Sequence, residues 1–290
     1  MDLYEVLSEN ALLFVSLIIV IGLLVGSFLN VVIYRLPRMM ESRWKQECQE
    51  YLAIVSDNKQ TEPFNLIVPG SRCPHCNTPI RAYQNIPLLS FILLKGKCAA
   101  CKHAISWRYP FLEFFTGILS GLVAWHFGFS AETFFGLVLT WALIALACID
   151  YDQQLLPDSI TLPLLWLGLL ISLIPVFSGS HSSIIGAVSG YLSLWLVYQI
   201  FKLLTAKEGM GYGDFKLLAM LGAWLGWQTL PLIIILSSLV GALFGIAMIL
   251  LSLHERNRPI PFGPFLAAAG WITLLWGDKI QSYYLNFTRF

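Results

Sequence analysis

The sequence predicts an all-α fold: a polytopic membrane protein of about eight transmembrane helices with one small polar domain between the first and second. Three observations predict it. Of 290 residues, 57% are hydrophobic and only 12% are charged, where a soluble domain carries roughly 25% charged residues. Apolar runs near the spanning length of about 20 residues recur along the chain. One stretch, about 35 to 108, breaks that pattern and holds two paired cysteine motifs.

The expected spans are about 11 to 34, 109 to 127, 131 to 149, 160 to 177, 184 to 204, 214 to 228, 230 to 252 and 262 to 277, placed by that length rule. The sixth and eighth are short enough to be partly re-entrant. The first does not read as a cleavable signal peptide: Asp2, Glu5 and Glu9 precede it without a Lys or Arg, and its apolar run exceeds a signal h-region. The chain then divides into a first transmembrane helix (1–34), a polar domain (35–108) and a membrane core (109–290).

Orientation follows from the basic residues. Eleven of the 18 Lys and Arg fall between Arg35 and Arg108, and Lys202, Lys207, Lys216, Arg256 and Arg258 share that side if eight spans alternate. Lys279 and Arg289 fall opposite, so the positive-inside rule puts 35–108 in the cytoplasm and both termini outside. A formal charge of +1 and the absence of a basic run argue against nucleic acid as a partner. Membrane lipid is the expected surrounding.

Within 35–108, the part from Glu41 to Glu62 is mostly polar and includes Asp57-Asn58. The second part carries Cys73-Pro74-His75-Cys76 and Cys98-Ala99-Ala100-Cys101. Two C-x2-C pairs at this separation are the arrangement that closes on one tetrahedral zinc. Redox dithiols and structural disulfides are the alternatives; a cytoplasmic setting disfavours disulfides, and one redox motif leaves the second pair unexplained. With four thiolates the metal has no open position, so it would be structural and would staple a domain too small to stand on its own core. His75 and His103 flank the ligands as outer donors or solvated turn residues. Cys48 reads as a free loop thiol and Cys148 as a small apolar helix residue.

Two aspartates stand where an apolar chain least easily hides a charge. Asp150 ends the run Trp141 to Ile149, where a carboxylate opposes the helix dipole. Asp214 follows Gly211-Tyr212-Gly213 and opens the next span. Each has a plain reading, a solvated headgroup charge or an N-cap. On one membrane face, however, two carboxyls can divide a proton between them, one as base toward water and one as acid toward a departing amine. Gly209, Gly211 and Gly213 offer close backbone approach or positive φ. Asp158 or Ser159 reads as a cap for the helix near Ile160, Asp152 would face elsewhere on a continuing helix, Lys216 would snorkel to headgroups, and Glu113 would pair with a base or meet substrate.

No H-E-x-x-H, G-x-S-x-G or P-loop competes. A proton- or ion-coupled transporter using the same acids is the alternative from another class, and a non-catalytic, zinc-stapled assembly subunit is a third.

The stretch Gly26-Ser27-Phe28-Leu29-Asn30 through Arg35-Leu36-Pro37, the four cysteines, Arg108-Tyr109-Pro110 with Glu113 and Thr116-Gly117, Ile149-Asp150-Tyr151-Asp152, Leu156-Pro157-Asp158 and Gly211-Tyr212-Gly213-Asp214-Phe215-Lys216 together resemble the bacterial type IV prepilin peptidases. The resemblance spans nearly the whole chain. It implies a G-x-G-D membrane aspartyl protease of the bacterial inner membrane with Asp150 and Asp214 as the catalytic pair. It further implies cleavage of type IV prepilins and type II secretion pseudopilins at the cytoplasmic face, then N-methylation with S-adenosylmethionine. The methyl-donor site is not legible; the cytoplasmic loop and the segment around Asn30 and Arg35 are the candidates, and no G-x-G-x-x-G turn follows a strand.

Overall fold

The structure is a computed structural model that describes residues 3–53, 64–251 and 260–287. The Asp57-Asn58 tract and Glu62, and among the residues used for orientation and for the start of the chain Asp2, Lys59, Arg256, Arg258 and Arg289, lie outside the described residues. The described chain is helical with no strand, only two isolated antiparallel bridges. It divides into two compact units, Met1–Phe129 and Ser130–Phe290.

The first unit holds α1 (Leu3–Glu9), α2 (Ala11–Tyr51), α3 (Leu89–Leu93) and α4 (Arg108–Phe127). Asn10 caps α2 by accepting the Leu13 N–H at 3.1 Å, satisfying one of the orphan donors of the first turn. The span was expected to end near Tyr34, but the helix runs through Pro37 to Tyr51. Polarity ends the apolar stretch without ending the helix, and Glu41 and Lys45, one turn apart at 2.9 Å, support the continuation. At 1.5 Å per residue, α2 is roughly twice the length of a hydrocarbon core. Cys48 therefore lies exposed on a helix, not in a loop.

α2 packs on α4 through small residues. A Cβ at Gly22 would fall 2.5 Å from Ser120 Oγ, and one at Gly26 would fall 2.8 Å from the Glu113 Cα. Such close approach lets two apolar helices gain packing that lipid alone does not supply.

The second unit holds α5 (Ala131–Gln153), α6 (Asp158–Ile171), α7 (Ser180–Thr205), α8 (Tyr212–Leu225), α9 (Leu230–Leu250) and α10 (Gly263–Phe287). α8 is its centre. Every residue from Leu217 to Trp224 is buried, so this helix, apolar all round, is enclosed by protein. α7 and α8 come together at Gly186 and Gly222, where a Cβ on either would run into the other's carbonyl. Trp224 donates its indole N–H to the Leu164 carbonyl at 2.8 Å, tying α8 to α6. Trp271 donates to Thr140 Oγ1 at 3.1 Å, tying α10 to α5.

All eight expected spans are helices. Five described segments are long and apolar enough to cross a membrane: Ala11–Tyr51, Arg108–Phe127, Ala131–Gln153, Ser180–Thr205 and Trp227–Leu250. The short helices are α6 and α8, each of 14 residues, whereas α10, expected to be short, has 25. α6 ends at Ile171 rather than near 177, ahead of Pro175, whose missing N–H does not suit a continuing helix.

Candidate functional site

The four cysteines meet. Cys73, Cys76, Cys98 and Cys101 place their sulfurs within 4.8 Å of one another, and Cys73 and Cys101 are 3.9 Å apart. A tetrahedron with metal–sulfur bonds of about 2.3 Å has edges of about 3.8 Å, so the set fits a tetrahedral thiolate metal such as zinc. The local backbone explains the convergence. Cys73 N–H donates to Thr78 O and Asn77 N–H to Cys73 O; Cys98 N–H donates to His103 O and Lys102 N–H to Cys98 O. Asn77 and Lys102, the same position in each turn, have φ of 57° and 59°. The two knuckles are thus one backbone motif used twice, although apart from the paired cysteines their side chains differ.

The thiols are prepared unequally. The Thr78 hydroxyl and backbone amide favour the Cys76 thiolate and draw it down to about 6, and the Cys101 and Ala100 amides lower Cys98. At Cys101 the His103 amide favours the thiolate, but desolvation and the three other sulfurs outweigh it and push the thiol up to about 11. Four thiolates this close need a cation to coexist. His75 and His103 stack on each other with ring centroids 4.4 Å apart.

The loop that carries the first knuckle is held by α2. Arg35, 9% exposed, donates to Asn65 O at 2.9 Å and Pro69 O at 2.6 Å, and Asn30 donates to Tyr109 O. Glu113 was expected to pair with a basic residue or meet substrate. Its carboxylate instead accepts the Leu88 N–H at 2.9 Å and bonds Ser27, so it anchors the start of α3.

Asp150 and Asp214 are 6% and 7% exposed, which removes the solvated-headgroup reading of Asp150. α5 continues past Ile149 to Gln153, leaving Asp150 in its last turn. The N-cap of α8 is Gly211 and the helix begins at Tyr212, so Asp214 sits inside the first turn and is not the cap. Asp150 Oδ2 accepts the N–H of Gly263, the first residue of α10, at 3.0 Å. Asp214 Oδ1 is buried without a hydrogen-bond partner among the described residues. The two aspartates share Leu156 as a neighbour, through Gly213 on the Asp214 side and Gly263 on the Asp150 side.

Leu156 packs against the two glycines that neighbour the aspartates, Gly213 before Asp214 and Gly263, whose amide Asp150 accepts. A Cβ at Gly213 would fall 2.8 Å from Leu156 Cβ, and one at Gly263 would fall 3.3 Å from its Cδ1 and 2.5 Å from Asp150 Oδ2. Sequence reasoning missed Gly263; the signal was a glycine between Pro261 and Pro264 opening a helix. The glycine run does not use positive φ, since the described glycines with that conformation are Gly96, Gly128 and Gly226. Gly209 instead lies against Phe201 and Gly213 against Leu156, whereas Gly211 has nothing nearer than Asp214 Oδ2 at 3.7 Å.

Two neighbours behave differently from expectation. Asp158 is the first residue of α6, after Pro157, rather than its cap. Lys216 does not reach for headgroups but binds both Asp158 oxygens at 2.7 Å. Short exposed acids and long cations pair when adjacent helices start side by side, a relation that linear spacing hides.

Residues 20–127 match the Bacterial Peptidase A24 N-terminal domain, and residues 137–246 match the Type IV leader peptidase family. The chain is 58% identical to the Prepilin leader peptidase/N-methyltransferase of Stutzerimonas stutzeri, over 98% of both chains. It is 56% identical to the protein of that name from Pseudomonas aeruginosa, over 100% of both. The chain belongs to the type IV leader peptidase family. A third member, from Aeromonas hydrophila, is 55% identical over 94% of each chain. The two family matches fall one in each compact unit, the first including the four cysteines and the second both aspartates. No solved structure matches the chain. The transporter alternative draws no support from these relatives.

Proposed function

We propose that this leader-peptidase-family chain cleaves the leader from type IV prepilins and pseudopilins at the cytoplasmic face of the inner membrane, then methylates the new amino terminus. The observation that carries the reading is the pair of buried aspartates brought together from α5 and α8 around Leu156 and the Gly263 amide.

Peptide hydrolysis needs water activated and an amine protonated. One carboxylate of the pair takes a proton from water as its oxygen attacks the scissile carbonyl; the other, protonated, gives its proton to the leaving amine. Burial strengthens both transfers by excluding competing solvent. The Gly263 N–H fixes the orientation of Asp150, and Asp214 Oδ1, buried and free of protein donors among the described residues, keeps a hydrogen-bonding capacity that a water or substrate admitted to the site would fill. Gly211 offers uncluttered backbone beside Asp214, where an extended peptide can lie.

Cys73, Cys76, Cys98 and Cys101 would hold zinc and so fix the fold of the 64–107 segment. S-adenosylmethionine would supply the methyl group of the second step. The described residues contain no strand, glycine turn and helix of the dinucleotide-binding kind, so the donor would sit in a different cradle. The region tied together by Asn30, Arg35 and Glu113 is our candidate. Purified protein incubated with a prepilin should yield a product at the mass of the leaderless pilin, and a methylated terminus once the methyl donor is added. An unchanged prepilin would sink the peptidase reading; a cleaved but never methylated product would confine the protein to the first step.

A further inference from the structure

Lys216 Nζ lies 2.7 Å from both Oδ1 and Oδ2 of Asp158. The two residues have telling neighbours. Asp158 opens α6 two positions after Leu156, the side chain wedged against Gly213 and Gly263. Lys216 is in the first turns of α8, two positions after Asp214. The ion pair therefore ties the chain just beyond the wedge to the chain just beyond the second aspartate.

We propose that the Asp158–Lys216 pair is a positioning clamp that keeps Asp214 in register with Asp150, an inference that rests on the peptidase reading of that site. The link between α5 and α6 is only Gln154 to Pro157. Gln154 closes α5 in a left-handed conformation, φ 53°, and Pro157 has its φ fixed by its ring. This leaves Leu155 and Leu156 as the adjustable members of a stiff connection, with Leu156 seated on Gly213 at one side and Gly263 at the other. Drawing the start of α6 toward the start of α8 presses Leu156 onto Gly213 and holds the turn that carries Asp214. From α7, Lys202 bonds Glu208 at 2.9 Å, and Phe201 packs on Gly209, so the loop entering α8 is secured at its other edge. The Lys216 charge is spent on Asp158.

The pair is partly exposed, the Lys216 side chain 30% and the Asp158 side chain 51% accessible. Exposed pairs contribute little to global stability. Its loss should therefore appear in the chemistry and not in unfolding, because small misplacements of reacting groups cost rate steeply.

The test is prepilin cleavage by the full-length wild type, Asp158→Asn, Lys216→Met, the double variant and Lys216→Arg. Each single should lower kcat about 10-fold, with KM held within about 2-fold, since substrate contacts are untouched. The double should be no slower than either single, Lys216→Arg should recover most of the rate, and methylation of a leaderless pilin should be unchanged in all. A wild-type protein that does not cleave removes the peptidase reading and the clamp with it. A wild type that cleaves while Asp158→Asn keeps full rate, or while the two losses multiply, overturns the clamp alone and assigns Lys216 an effect of its own on Asp214.

Discussion

The cysteine cluster and the aspartate pair are both four-way meetings of side chain and backbone, yet they are assembled by opposite means. Each knuckle delivers its two sulfurs through a turn of a few residues, with Asn77 and Lys102 in the same left-handed conformation. The aspartates, 64 positions apart in the numbering, require α5, α8, the α5–α6 link and the start of α10 to be in place together. A locally encoded site tolerates changes elsewhere, whereas a site encoded by helix packing fails when any wall moves.

The largest expected effect is at the aspartates. Asp150→Asn should lower prepilin cleavage by about 10²–10⁴-fold, the usual contribution of a positioned acid or base, while metal content measured on the same preparation stays at the wild-type level. Joint loss of metal and cleavage would mean that the two sites are not separately encoded.

Next comes the third wall. Gly263→Val places a Cβ 2.5 Å from Asp150 Oδ2 and should cost about 100-fold in kcat, with the helical circular dichroism of the wild type retained. An active Gly263→Val enzyme would show that α10 does not shape the site.

At the cysteines, wild-type protein should carry about one zinc per chain and Cys73→Ser close to none, because a structural site needs all four ligands. Elemental analysis reads this directly. Limited proteolysis should then open the 64–107 segment in the variant while prepilin cleavage falls less than it does for Gly263→Val. A zinc-free wild type, folded and active, would contradict the stapled reading of the knuckles.

The smallest effect is expected at Lys202 and Glu208, an exposed pair at 2.9 Å. Glu208→Gln should leave stability nearly unchanged, because solvent screens an exposed pair, read as a Tm in detergent indistinguishable from the wild type. A large shift would make the loop before α8 a stability element in its own right.

Legibility in the sequence divides along the same line. Cys73, Cys76, Cys98 and Cys101 converge as their spacing implies, because turn geometry is local. The eight helices were visible from apolar run length, but the continuation of α2 to Tyr51 was not, since hydropathy reports the membrane boundary and not the helix end. Asp150 and Asp214 stood out as charges in apolar surroundings. The Gly263 amide, the Leu156 wedge and the Asp158–Lys216 pair did not, because each is a contact between segments far apart in sequence whose residue types are ordinary for helix starts. Glu113 stood out as a costly charge within a span, but its Leu88 N–H partner did not, a backbone N–H being invisible to any pattern of side chains.

The most direct measurement is a single-turnover cleavage series on one prepilin with wild type, Asp150→Asn, Asp214→Asn and the double variant. If the two carboxyls act as one unit, either single substitution falls to the same low rate and the double falls no further. A single variant that retains full cleavage, or a double whose loss is the product of the singles, would contradict a shared site.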